Sequence, residues 1–144
     1  MKHLCILFAT CFCLTSFAQK NIFPVTQSSL TGIQLPAGST QDKRLGSVYS
    51  AKFLLQIESL KQGVELRAME VFYLPPVSTS KFGEDSILLQ FSNQGWSLTP
   101  VEGDNKYVWL QKENRYLMAY FEMDKKKNRP TQLYFGEAAS APPF

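Results

Sequence analysis

Residues 96–135 read WSLTPVEGDNKYVWLQKENRYLMAYFEMDKKKNRPTQLYF, and this stretch decides the fold class. Its β-branched and aromatic runs predict strands at 96–99, 107–111, 115–123 and 131–135, separated by turn formers at 102–105, 113–114 and 124–130. Connections this short leave room only for hairpins, so the strands form an antiparallel meander. Working outward towards the amino terminus, Phe53, Leu54, Ile57 and Leu60 recur at helical spacing within 50–62, with Ser50 as the amino-terminal cap and Gly63 as the stop. A strand over 64–74 follows and ends at Pro75 and Pro76. A second helix opens on Glu84 and Asp85, carries Ile87, Leu88 and Phe91 on one stripe, and closes at Gly95 before Trp96. The fold class predicted is α+β, an antiparallel sheet of about five strands with two helices packed on one face.

The two helix–glycine–strand junctions resemble each other: Leu54, Leu55, Gln56 through Gln62, Gly63 and Leu66 is echoed by Leu88, Leu89, Gln90 through Gln94, Gly95 and Leu98. Such junctions recur by ordinary helix-capping rules, and a true internal duplication is the alternative reading.

The first residues have the layout of a secretory signal: Lys2 and His3, an apolar run from Leu4 to Leu14, then Ser16, Phe17 and Ala18. Cleavage is expected after Ala18, giving a periplasmic or extracellular protein. A helix of about eleven apolar residues spans only about 16 Å, too short for a membrane anchor. The implied organisation is a signal peptide over 1–18, an extended amino-terminal segment over 19–46 able to add short edge strands, one α+β domain over 47–137, and a flexible tail over 138–144.

All three cysteines, Cys5, Cys11 and Cys13, lie in the leader, as does the single histidine, His3. The mature chain of about 126 residues therefore excludes disulfides, Cys/His zinc sites, thiol nucleophiles and hydrolases with a histidine base. No cofactor or metal is predicted, and no enzyme activity. Without Lys2 the chain holds fourteen basic and twelve acidic residues, a balance that calls for neither nucleic acid nor an anionic membrane. Ser78 and Lys81 form a Ser-x-x-Lys tetrad, but the companion elements of penicillin-recognising enzymes are missing. Glu84 with Asp85, and Glu102 with Asp104, read as helix-start and turn residues rather than as acid–base pairs.

Two surface features remain. Lys125, Lys126, Lys127 and Arg129 form a basic hairpin tip that keeps a strand end soluble and offers weak, salt-sensitive contact with anionic envelope polymers. In 115–123, alternation turns Leu117, Ala119 and Phe121 inward and Tyr116, Met118 and Tyr120 outward, with Tyr134 and Tyr73 expected on the same outer face. Such a face is semi-polar and adhesive, so it is expected to contact a protein partner or a second copy, unless other parts of the chain cover it. The alternative function is a small-ligand or glycan module with a pocket between helices and sheet, lined by Phe91, Trp96 and Trp109.

A helix closing on Gly95 and Trp96 and opening a strand meander resembles small exported bacterial domains of uncharacterised function. The resemblance covers roughly 84–135. It implies a secreted or envelope setting and carries over no catalytic residue.

Overall fold

A computed structural model describes residues 21–43, 45–75, 84–101, 103, 106–124, 126 and 129–143. The elements are β1 (Ile22–Pro24), β2 (Thr40–Asp42), α1 (Leu45–Lys61), β3 (Leu66–Tyr73), α2 (Glu84–Asn93), β4 (Ser97–Pro100), β5 (Tyr107–Lys112), β6 (Arg115–Asp124) and β7 (Arg129–Ala138). They form an α+β fold with one antiparallel sheet of seven strands in the order β1-β2-β3-β7-β6-β5-β4. The expected five strands are all present. The two more come from the amino-terminal segment, where β2 pairs with β3 and β1 extends the edge. That segment also supplies core: Ile33 and Leu35 are buried beside Phe72 and Phe135.

The helices cover opposite faces of the sheet, not one. Ile87 and Phe91 of α2 pack with Leu110, Leu117, Ala119, Phe121 and Leu133. Leu55 of α1 packs with Val71, Trp109, Met118, Tyr120 and Tyr134. Strand alternation separates the two sets, since Leu117 and Met118 are neighbours in β6 and point to opposite sides. Both sides of the central strands are therefore apolar: 107–110 and 117–121 are buried without a break. Unbroken apolar runs of this kind mark strands covered on both faces.

The helix ends follow from local chemistry. Gly63 and Gly95 adopt φ of +73° and +82°. Val64 N–H donates to the Ser59 carbonyl and Trp96 N–H to the Phe91 carbonyl, each at 3.0 Å, while the glycine N–H groups reach Leu60 and Ser92. These are matching Schellman caps. The likeness stops at the caps, because Leu54 is exposed and Leu55 buried, whereas Leu88 packs on the core and Leu89 is exposed. Aligned residues thus face opposite ways. This is the pattern of two ordinary helix–strand junctions, with no side-chain correspondence to support a duplication.

The start of α1 also differs from expectation: it begins at Leu45 rather than at Ser50. Its orientation is the larger correction. Phe53, Leu54, Ile57 and Leu60, read as the inward stripe, face outward, and the inward side holds Leu55, Glu58 and Ser59. The small Ser59 lets the helix settle on a sheet face already filled by large aromatic rings, and its hydroxyl donates to the Gln56 carbonyl at 3.1 Å.

Candidate functional site

Tyr116, Met118, Tyr120 and Tyr134 lie on the α1 side of the sheet, and Tyr107, which the sequence reading left out of that face, joins them there. Register places Tyr107 opposite Tyr120 and Tyr120 opposite Tyr134, so three rings line up across β5, β6 and β7. Ring centroids are 4.7 Å apart for the first pair and 5.3 Å for the second, whose planes are nearly parallel at 21°. Tyr120, Tyr134 and Met118 are buried, while Tyr116 and Tyr73 are half-buried. The cover is α1, which packs over β3, β7 and β6. The row is therefore an internal layer and not a free sheet face.

Its hydroxyls are satisfied along the strands. Tyr120 donates to the Glu122 carboxylate and Tyr134 to Oε1 of Gln132. Burial pushes the Tyr120 phenol well above its ordinary range, with the Glu122 hydrogen bond and charge adding to it, and burial with the Glu122 charge pushes the Tyr134 phenol up to about 12. The unfolded chain then loses its phenolic protons first as pH climbs past the ordinary value of about 10. Stability held by the neutral hydroxyls is complete below that pH and is lost as pH rises through the folded values. Tyr134→Phe is expected to flatten the alkaline fall in stability, read as the thermal midpoint against pH from about 8 to about 12. An unchanged alkaline limb would contradict the assignment.

What α1 presents instead is an apolar outer side. Phe53 is 60% exposed, Leu60 56%, Leu54 44% and Ile57 39%. Among the described residues, the charged neighbours on this part of the helix are Glu58 and Lys61, which pair with each other at 2.7 Å. Scattered apolar residues are normal on a surface, but four on adjacent turns of one helix make a patch.

The remaining expected site residues are spread over the molecule. Lys126 is exposed in the β6–β7 turn, its backbone N–H bonded to Oδ1 of Asp124, and Arg129 opens β7. Lys125 and Lys127 lie outside the described residues, as do Ser78, Lys81, Glu102, Asp104 and the leader. Phe91 and Trp109 are fully buried on opposite sides of the sheet, so they cannot line one pocket. On the α2 side Phe91 stands edge-on to Phe135 at 5.7 Å.

Trp96 does reach a cleft, in a place sequence reasoning missed. It lies where the loop 29–32 meets the β5–β6 hairpin. Glu113 in that hairpin turn has φ +54°, a conformation costing an L-residue about 1–2 kcal/mol and normally given to glycine. Arg115, which also lines the cleft, shares the Glu137 carboxylate with Arg67, the two bonding it through Nε at 3.2 Å and 3.3 Å. Burial raises the Glu137 carboxyl, but the two guanidinium groups outweigh it and hold it below the ordinary carboxylate range.

Compared with models of protein families, with curated proteins and with solved structures, the chain matches none. Among the described residues no helix is long and apolar enough to cross a membrane.

Proposed function

We propose that this chain is an exported, non-enzymatic domain that works by protein contact through the outer side of α1. The class of function is the one the tyrosines suggested, moved one layer outward: the tyrosine row is the floor on which the helix lies, and the helix carries the free face. The carrying observation is the exposure of Phe53, Leu54, Ile57 and Leu60 on that side. Export is supported by the layout of Lys2, the apolar run to Leu14 and Ala18.

The spacing favours a helix as occupant. Phe53, Ile57 and Leu60 stand four and three residues apart, the alternation of a coiled-coil seam. A second copy supplies the matching seam: antiparallel pairing about a two-fold axis near Ile57 sets Phe53 of each chain against Leu60 of the other. Light scattering after size exclusion tests this on the purified protein. A dimer is expected that persists in high salt, because apolar contact is not screened, and that becomes a monomer in the Phe53→Ser, Leu60→Ser double variant. Both side chains are exposed, so the variant should keep its fold. A parent protein that stays monomeric as its concentration is raised would overturn self-association.

A further inference from the structure

We propose that the cleft at the β5–β6 hairpin binds a sugar acid, a hydroxylated ring bearing a carboxylate. The cleft measures about 320 Å³ and is lined by the loop 29–32, Trp96, Lys112, Glu113 and Arg115. This is the low end of small-ligand sites, which run from about 300 Å³, and it suits a single ring rather than an extended chain. It lies on the side of the sheet away from α1, so the proposal stands apart from the contact surface.

Three groups supply the chemistry. Lys112 holds its Nζ 6.0 Å from the Trp96 ring centre, and Arg115 holds its guanidinium carbon at 5.8 Å. The ring thus fixes two cations at the cleft wall, partly out of water, where a charge-assisted bond gains strength. Arg115 is further locked in place: its terminal nitrogen NH2 donates to the Leu30 carbonyl at 3.0 Å and its Nε to Glu137. These bonds leave the other amino group of the guanidinium with no bonded acceptor among the described residues, and Lys112 has no carboxylate partner among them. A ligand carboxylate fits these two donors.

The opposite requirement is met by Glu113. A carboxylate there accepts hydroxyl protons from a sugar ring, the usual way proteins hold polyols. Its backbone carries the one positive φ found at a non-glycine residue among the described residues. Strain of this kind concentrates where a side chain has a task, and here the strained residue lines the cleft. Trp96 adds a reporter. It is only 4% exposed, and its indole Nε1 is buried with no hydrogen-bond acceptor among the described residues. The two cations beside the ring make that resonance responsive to a charge arriving in the cleft.

Titration of the purified protein with sodium glucuronate, followed by the indole N–H signals in ¹⁵N NMR spectra, tests the proposal. The chain has two tryptophans, and Trp109 on the other sheet face is the internal control. A saturable shift of the Trp96 signal alone is expected, about tenfold weaker in apparent affinity for Lys112→Met, as loss of one charged hydrogen bond implies. Glucose and acetate, each offering half the chemistry, should bind more weakly than glucuronate. Glu113→Gly should weaken glucuronate binding while raising the unfolding midpoint, a combination that a purely structural glutamate would not give. Unmoved signals, equal response to acetate, or unchanged affinity in Lys112→Met would overturn the proposal.

Discussion

Glu70→Ala is expected to lower the unfolding free energy by about 3–5 kcal/mol, the range for removing one member of a buried, charged hydrogen-bond network. Glu70 sits in β3, almost wholly buried, and its carboxylate accepts four bonds from one loop. They come from Ser28 Oγ at 2.6 Å, Ser29 N–H at 3.0 Å, Leu30 N–H at 3.2 Å, and the Ser29 hydroxyl. Alanine would take the acceptor from all four donors, two of them on the backbone; the Ser28 hydroxyl is buried and would be left without a partner, while Ser29 and Leu30 lie nearer the surface. The loop matters beyond its own turn, because it leads directly to Ile33 and Leu35 in the core and because Leu30 holds Arg115. Urea unfolding is the measurement, with Glu70→Gln alongside. The amide keeps the shape and one acceptor but turns an NH2 group towards donors, so it should fall between the parent and alanine. A loss below about 1 kcal/mol for alanine would mean that the loop is held by something other than this carboxylate.

The sequence makes some of this legible and hides the rest for physical reasons. Glycine at 63 and 95, each after a helical period and before a strand, is a local signal, and local signals survive folding: both caps form with the same hydrogen bonds. The meander is legible for the same reason, since its hairpins are short. Layering is not local. Reading 115–123 as strictly alternating assumes one wet face, yet Leu117 through Phe121 are apolar on both parities, and so are Tyr107 through Leu110. Those unbroken runs were the available sign that a second layer covers the tyrosines. The facing of α1 follows from the same point. A sheet face filled by Trp109, Tyr120 and Tyr134 accepts a helix through Leu55 and the small Ser59, leaving the larger stripe outside. Glu70 reads in sequence as one more polar strand residue, and its four donors lie about forty residues away. The cleft had one readable mark: a glutamate at 113, where a two-residue hairpin asks for glycine.

Phe91→Ala should cost about 3–5 kcal/mol, and the same change at Phe53 less than about 0.5 kcal/mol, although both are phenylalanines on helices that pack on the sheet. Phe91 has no exposed surface, and its ring stands edge-on to two others, Trp96 at 6.3 Å and Phe135 at 5.7 Å. Phe135 in turn meets Phe72 at 6.0 Å, so one ring links α2 to both β7 and β3. Phe135 and Phe72 sit in strands held by ladders on both sides and cannot collapse into the void; a cavity that stays open is what drives the cost towards the upper end. The backbone carbonyl of Phe91 still caps the helix in the alanine variant, so the loss reports packing and not capping. Phe53 is 60% exposed on α1 and has nothing comparable to lose. Measured on the monomer, in the Leu60→Ser background that weakens any pairing of copies, the two variants separate the orientations of the helices directly. Were the α1 stripe turned inward, as its spacing alone suggests, Phe53→Ala would cost as much as Phe91→Ala, and the outer side of α1 would no longer be free to meet a second copy.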